Sequence, residues 1–261
     1  MRNYIALLLC FLLLLAAVPL QVSAYETEGD FIYEVYNEQA SLLQYNGSDK
    51  VVEVPGELGG YPVIRIETYA FRESAVEEVI LPESLETVGD YAFYNSELGG
   101  RVIFPTSLKK IAGYAFRACD LTSVIFGSKL ESIGIYAFTA NPIETLFFNQ
   151  NHSLKTIGYN AFDGNRLTAL TLPDSLTSIG GCAFRSSIDQ ITVYCPSVTP
   201  PTLEACSITH SVDSCGLHSC TSGSYTNKRT VNLYVPADSV AAYKSATGWR
   251  LSATVNPYNF N

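Results

Sequence analysis

The residues of this sequence best suited to chemistry are cysteines and histidines that lie close together near the C-terminal end. Cys206, His210, Cys215, His218 and Cys220 fall in or beside a segment rich in Ser, Thr and Gly. Thiolate and imidazole groups are zinc ligands, and a cysteine beside a histidine can act as a nucleophile. The spacing matches no paired Cys-x-x-Cys motif, and a Cys215–His218 pair has no third group to orient it. Disulfide formation is therefore the favoured role of these cysteines.

Other catalytic patterns are absent from the sequence. The chain has no phosphate-binding loop, no Gly-x-Gly-x-x-Gly, no His-Glu-x-x-His and no Gly-x-Ser-x-Gly. These motifs mark nucleotide, dinucleotide, zinc-protease and serine-hydrolase sites. We therefore expect no enzyme activity, no catalytic residues, no bound metal and no cofactor.

The first 24 residues have the organisation of a secretory signal peptide. Met1 and Arg2 give a positive start, an apolar run extends from Ile5 to Val18, and small residues precede a cleavage point after Ala24. A membrane-spanning helix needs about 20 apolar residues, and no run of that length occurs in the chain. We predict that the mature protein begins at Tyr25, is secreted or held at the cell surface, and has no integral membrane segment.

Export makes disulfide bonds chemically permissible. Six cysteines follow the predicted cleavage point. Cys119 and Cys182 occupy regular positions of the repeat described next, so we expect both to be free thiols. The disulfide candidates are then Cys195, Cys206, Cys215 and Cys220, which allow three pairings into two bridges.

The dominant feature of the chain is an internal repeat. The dipeptide Ala-Phe recurs at 70–71, 92–93, 115–116, 137–138, 161–162 and 183–184, at intervals of 22 to 24 residues. A Leu-x-x-Ile/Val element precedes each later copy, and a run such as Val124-Ile125-Phe126 comes before that element. A small polar or thiol residue follows each Phe by three positions. A constant period of this length is the sequence signature of a solenoid.

One such unit cannot bury its apolar residues alone. Stacked units bury them against their neighbours, strand beside strand at about 4.8 Å. We predict a right-handed, mostly β superhelix in which the small polar residues satisfy backbone groups at each bend. The repeated phenylalanines should form one buried column, made of Phe71, Phe93, Phe116, Phe138, Phe162 and Phe184.

The segments VEEVILPESLETVGDYAF (76–93) and LTALTLPDSLTSIGGCAF (167–184) resemble the BspA-like, or Treponema pallidum-type, leucine-rich repeats of bacterial surface proteins. The resemblance covers about residues 61–206 and implies an α/β-type leucine-rich repeat solenoid that is predominantly β. It also implies a secreted or cell-surface protein of a kind that includes binders of host proteins and adhesins. It transfers no catalytic residues, because a fold does not fix a function.

The chain divides around this array. Residues 25–60 are predicted to form an N-terminal β cap, 61–206 the repeats, 207–230 a Cys-rich loop and 231–261 a C-terminal cap with a strand and a helix. Caps cover the open ends of a solenoid core. Asp238 is expected to cap the short helix, which runs through Ala246 and ends at Gly248. Trp249 is expected to pack on the last coil.

The alternation of side chains along a strand places a candidate binding surface on the array. The outward row is predicted to contain Ile80, Ile103, Ile125, Phe147, Thr171 and Thr192. A polar flank is supplied by Glu78, Arg101, Ser123, Thr145 and Gln190. Four apolar side chains in succession would form a stripe about 15 Å long, and a contiguous stripe suggests an interface. Coverage by the N-terminal cap or a dimer partner, or β-propensity alone, is the alternative explanation.

Composition narrows the class of partner. The chain carries a net charge of −9 and has no Lys/Arg cluster, which disfavours nucleic acid and anionic membranes as partners. We expect a non-catalytic, adhesin-like module that contacts an extracellular protein or glycan through the solenoid surface, with self-association as a further mode. The alternatives are a structural role in a surface assembly and an enzyme that uses the Cys/His loop. Replacing Cys215 or His218 would inactivate the enzyme, whereas changes on the strand surface would disable the binder.

Overall fold

A computed structural model describes residues 25–148, 153–185, 190–204, 230–246, 249 and 253–260. The predicted signal peptide and its cleavage point at Ala24 lie outside the described residues. Nearly all of the predicted Cys-rich loop also lies outside them, together with Cys206, His210, Cys215, His218 and Cys220.

The N-terminal strands cover one end of the coil stack. Strands β1 (Glu26–Glu28), β2 (Phe31–Tyr36) and β3 (Gln39–Tyr45) pair antiparallel in succession. Strands β4 (Val51–Glu53), β5 (Glu57–Leu58) and β6 (Tyr61–Ile66) follow, and β6 pairs in parallel with β3. The ring of Tyr45, at the end of β3, stacks on Phe71 with 5.2 Å between centroids. The cap therefore continues the phenylalanine column of the repeats.

The coils of the array build two parallel ladders. The strands of the first ladder are β7 (Glu78–Ile80), β9 (Gly99–Ile103), β11 (Asp120–Ile125), β13 (Thr145–Phe147), β15 (Ala169–Thr171), β17 (Gln190–Tyr194), β19 (Thr230–Pro236) and β20 (Ala253–Tyr258). The second ladder consists of two-residue strands: β8 (Thr87–Val88), β10 (Lys110–Ile111), β12 (Ser132–Ile133), β14 (Thr156–Ile157), β16 (Ser178–Ile179) and β18 (Thr202–Leu203).

Neighbouring coils are joined strand to strand. The second ladder is continuous in parallel pairing from β6 to β18. In the first ladder β4 pairs with β7, the strands β9, β11 and β13 form a second group, and β15, β17, β19 and β20 form a third. Each coil thus adds its strands beside those of the preceding coil, as a solenoid requires. The predicted β solenoid, with coils about 22 residues apart, is confirmed.

The C-terminal cap contains the predicted short helix. A 3₁₀ turn (Ala237–Ser239) leads into helix α1 (Val240–Ser245). Asp238 does not cap this helix, because it lies inside the 3₁₀ turn and the structure shows no side-chain cap hydrogen bond at either start. Gly248 lies outside the described residues. Trp249 is buried and donates its indole N–H to the carbonyl of Pro201 at 2.7 Å, which confirms that it packs on the last coil.

The phenylalanine column is confirmed. Each ring of the six Ala-Phe copies is at most 1% exposed. Successive ring centroids lie 4.7 to 5.3 Å apart with interplanar angles of 10° or less. Phe104 and Phe126 approach this column edge-on, at 5.3 Å from Phe116 and 5.7 Å from Phe138 respectively. Stacked and edge-on contacts are the two favourable geometries for aromatic rings, so the core is both apolar and directional.

Each Ala-Phe turn depends on residues in the left-handed region of backbone conformation. The residue before each Ala has a φ between 53° and 66°, although in four coils it is tyrosine. Non-glycine residues adopt such angles at a cost. Hydrogen bonds between coils compensate for it: the Tyr91 N–H donates to the carbonyl of Gly113, and the Phe93 N–H donates to that of Ala115. The turns are thus held by the stack itself.

From Ser96 to Asn165 the small polar row after Phe pairs with the backbone, as expected, whereas the buried Ser74 hydroxyl has no hydrogen-bond partner among the described residues. Asn141 donates its amide to the carbonyls of Phe116 and Phe138 at 2.8 and 3.0 Å, and accepts from the Leu121 N–H. Cys119 donates its thiol to the Phe93 carbonyl at 3.0 Å. Buried backbone groups must be paired, and these side chains pair them where the chain bends.

Two of the cysteine assignments made from the sequence are wrong. Cys195, a predicted bridge residue, is a buried free thiol within hydrogen-bonding distance of the Tyr243 hydroxyl at 3.0 Å. It is enclosed because the C-terminal cap packs over it. Cys182, expected to be free, is disulfide-bonded. It occupies the corner position that is tyrosine in four other coils. Cys119 is free and buried, as predicted.

Candidate binding surface on the strand ladder

The strand alternation of the first ladder separates core from surface. Val79, Val102, Val124, Leu146 and Leu170 are each at most 8% exposed. Their neighbours in sequence must therefore point away from the core. We call the outward surface of the first ladder, from β7 to β20, the strand face.

The centre of the strand face is an apolar row. Ile103 pairs with Ile125, and Ile125 pairs with Phe147. Ile80 lies one coil before them, and Ile80, Ile103 and Phe147 are 48%, 52% and 55% exposed. Ile125 is partly buried between its neighbours. The four side chains form the predicted stripe on successive coils.

The C-terminal end of this row differs from the prediction. Thr171 pairs with Tyr194, whereas Thr192 pairs with Ala169 and so belongs to the flanking row. The predicted place of Thr192 is therefore wrong. Residues two positions apart on a strand point to the same face, so alternation alone cannot show which of Thr192 and Tyr194 lies beside Thr171. The row continues from Tyr194 to Tyr234, with which Tyr194 is paired.

A tyrosine cluster ends the strand face, and sequence reasoning missed it. The rings of Tyr194 and Tyr234 stack at 5.1 Å between centroids. Tyr258, which is 43% exposed, meets both of them edge-on at 5.1 and 5.9 Å. The signal that could have found the cluster is the core residue Val193, which pairs with Leu170. Aligning these two residues puts Tyr194 beside Thr171 and so in the apolar row. The apolar part of the strand face therefore extends beyond Thr171.

The polar flank is largely as predicted. Arg101, Ser123 and Thr145 are paired in one row beside the apolar centre. Glu78 lies at the corresponding place on the first coil and pairs with Val51. Gln190 pairs with Thr230 and lies outside this row, two residues before Thr192. In the part of the chain that the structure describes, the Arg101 guanidinium forms no ion pair. A cation is thus available beside the apolar row.

The two free thiols in the described ranges are poorly placed for chemistry. Burial raises the pKa of both the Cys119 and the Cys195 thiol to about 11. Since the thiolate is the nucleophile, a thiol of such high pKa is inert at neutral pH. Across the same ranges no three of His, Cys, Asp and Glu are arranged to hold a metal ion. No helix among the described residues has the length and apolarity to cross a membrane.

Solved structures of bacterial leucine-rich repeat proteins are similar to this chain. A solved leucine-rich repeat protein of T. pallidum is similar at 20% identity, with 65% of this chain and 86% of that chain covered and a TM-score of 0.44. A leucine-rich cell surface protein of Faecalibacterium prausnitzii is similar at 15% identity, with 90% and 96% covered and a TM-score of 0.45. No curated protein matches the chain.

The repeat itself gives the firmest comparison. The family described as the BspA type leucine-rich repeat region matches residues 64–192 in six copies. The matched span coincides with the ladders and with the phenylalanine column, so the sequence pattern and the packing identify the same repeating unit. The repeat array of this chain is a BspA type leucine-rich repeat region.

Proposed function

We propose that this chain is an exported, non-catalytic binding protein whose strand face contacts an extracellular protein. The observation that carries the proposal is the row of Ile80, Ile103, Ile125 and Phe147, in which three side chains are about half exposed and Ile125 is partly buried between its neighbours. Single exposed apolar residues are ordinary, but a contiguous row is a feature of interaction sites. A leucine-rich repeat array also supplies the rigid, extended surface on which such a row can be presented.

The composition of the strand face favours a protein over a glycan as its partner. Tyrosine and arginine are the residue types enriched at the centres of protein interfaces, and this face combines Tyr194 and Tyr234 with Arg101. Aliphatic side chains such as Ile80 and Ile103 offer no hydrogen bonds to sugar hydroxyls. The chain is acidic overall, with a net charge of −9, so a partner with a neutral or basic rim would associate fastest.

Export and attachment form the second part of the proposal. The N-terminal pattern of Met1 to Ala24 supports secretion, after which the array would act as an adhesin-like module outside the cell. This part is tested by expressing the full chain in a bacterial secretion host and sequencing the N-terminus of the exported product. A start at Tyr25 is expected, and retention of the uncleaved chain in the cytoplasm would contradict export.

The binding test uses paired substitutions. Ile125→Ser with Phe147→Ser removes the centre of the row, and Ile135→Ser with Val198→Ser removes two side chains that are 49% and 71% exposed elsewhere. Parent and variants are compared by circular dichroism, then against a panel of immobilised extracellular matrix proteins and envelope proteins. The strand-face pair should bind about tenfold or more weakly to any partner the parent retains, as for truncated interface centres. The control pair should bind as the parent does.

The alternatives give different results in the same experiment. If the strand-face pair binds every partner normally, the strand face is not the site. If the parent is dimeric in light scattering and the strand-face pair is monomeric, the face serves self-assembly. An activity that disappears in Cys215→Ser or His218→Ala with binding intact would favour the enzyme hypothesis.

A further inference from the structure

A second surface lies at the corner of the array, where the Ala-Phe turns stack. Tyrosine precedes Ala-Phe in four coils, and the residue after Phe is Arg72, Tyr94 and Arg117 in the first three. We call the set Tyr69, Tyr91, Tyr94, Tyr114, Arg72 and Arg117 the tyrosine corner. The positive φ of the residue before each Ala, described above, turns Tyr69, Tyr91 and Tyr114 outward, while the phenylalanine that follows Ala turns into the core.

The tyrosine rings form a regular staircase. Tyr69 and Tyr91 lie 5.3 Å apart between centroids, and Tyr91 and Tyr114 stack at 4.6 Å with a 6° interplanar angle. Tyr136 continues the stack at 4.8 Å from Tyr114. Burial, with smaller contributions from neighbouring tyrosines, raises the pKa of Tyr91 above 10.0, so its hydroxyl stays protonated at neutral pH. The ring faces are occupied by each other, and the phenol edges are what the corner presents.

Two guanidinium groups share one ring within this corner. Arg72 lies 5.8 Å and Arg117 lies 5.7 Å from the centroid of Tyr94. Arg117 also lies 5.8 Å from the Tyr114 ring. Cation–π contacts hold the two positive charges in place, but they do not neutralise them.

Arg117 lacks a counter-charge. Its Nε is buried and has no hydrogen-bond partner among the described residues, and none of the ion pairs found in those residues includes it. The equivalent arginine of a later coil, Arg185, is held by Asp163 through contacts of 2.7 and 2.5 Å. Arg72 is paired with Glu73 at 3.0 Å. The Arg117 side chain as a whole is only partly buried, so an anionic ligand can supply the missing counter-charge from the solvent side.

We infer that the tyrosine corner binds an acidic polysaccharide, with a carboxylate or sulfate group on Arg117 and sugar hydroxyls on the tyrosine edges. Charge supports an anion, since this corner holds an uncompensated cation on a chain of net charge −9. Spacing favours a polymer of larger units, such as sugars, over a peptide: the tyrosine rings recur every 4.6 to 5.3 Å, whereas an extended peptide advances only about 3.3 Å per residue. This site is separate from the strand face and does not depend on the function proposed for it.

The test compares two variants that lose the same charge. Arg72→Gln with Arg117→Gln empties the tyrosine corner of cations, and Lys129→Gln with Lys155→Gln removes two exposed cations that belong to neither proposed surface. Heparin and polygalacturonate are the anionic probes, cellohexaose is the uncharged probe of similar extended shape, and poly-glutamate is the acidic peptide. Binding is measured by isothermal titration calorimetry at low and physiological salt, after circular dichroism has shown that each variant is folded.

The parent should bind at least one anionic polysaccharide, more weakly at higher salt because the contact is charged. The tyrosine-corner variant should lose about tenfold or more in affinity, while the control variant should lose little. Because both variants remove the same net charge, a difference between them reports the position of the charge. Tyr91→Phe with Tyr114→Phe keeps the staircase, so the several-fold loss expected from it would report the hydroxyl contacts. The inference is overturned if neither polysaccharide binds, if poly-glutamate binds equally well, or if both double arginine and lysine variants lose affinity alike.

Discussion

Replacing Phe116 with alanine perturbs the centre of the phenylalanine column. The ring is 0% exposed, stacks with Phe93 at 4.9 Å and Phe138 at 5.3 Å, and meets Phe104 edge-on at 5.3 Å. Removing a buried phenylalanine typically costs about 3–5 kcal/mol. A value at the upper end is expected, because the two stacked contacts are each worth about 0.5–1.5 kcal/mol beyond burial.

The assay is thermal and urea unfolding followed by circular dichroism. For a chain of this size each kcal/mol lowers the melting temperature by about 2–4 °C, so Phe116→Ala should lower it by about 6–20 °C. Phe147→Ala is the matched control, since Phe147 is 55% exposed on the strand face and its loss should change stability by no more than about 0.5 kcal/mol. An unchanged melting temperature for Phe116→Ala, or an equal drop for Phe147→Ala, would refute the stacked-column account.

Four further predictions concern the core. Alkylation followed by peptide mapping should label Cys119 and Cys195 after unfolding and neither before, and labelling of Cys182 without reduction would contradict the assignment. Because burial raises the pKa of both thiols from 9.0 to about 11, the unfolded state releases protons that the folded state keeps. The free energy of unfolding should therefore decrease as pH rises above 9.0, and Cys119→Ala should reduce that decrease. A Cβ at Gly134 would lie 2.5 Å from the carbonyl carbon of Ala112, so Gly134→Ala should cost about 1–3 kcal/mol in urea unfolding. Gly56→Ala, with nothing within 4 Å, should be nearly neutral, and equal effects would exclude close approach of the coils. Asn141→Ala should lower stability by about 1–3 kcal/mol, because it leaves the Phe116 carbonyl and the Leu121 N–H unpaired in the core; a neutral result would mean that the polar row is dispensable.

The repeat could be predicted from sequence because each of its features recurs on every coil. The period of Ala-Phe places six rings at equivalent positions, and equivalent positions in stacked coils must coincide. The role of Asn141 followed for the same reason, since a polar residue at a fixed place in each bend meets the same backbone groups. Most of the strand face followed from alternation alone.

The errors arose where periodicity stops. Thr192 was placed in the apolar row because alternation cannot distinguish it from Tyr194, which is two residues away on the same face. The state of Cys195 depends on how the C-terminal cap packs over it, which no local pattern encodes. The left-handed conformation of Tyr91 and its equivalents was also missed, since tyrosine has no preference for it and only the stack enforces it.

Photo-crosslinking tests most directly whether the strand face binds a protein. Phe147 and Ile135 are similarly exposed, at 55% and 49%, so each can be replaced by benzoylphenylalanine without entering the core. With a partner retained by the parent, the probe at position 147 should form a covalent adduct and the probe at position 135 should not. An adduct formed only from position 135, or none from position 147 while the partner stays bound, would contradict the strand face as the binding surface.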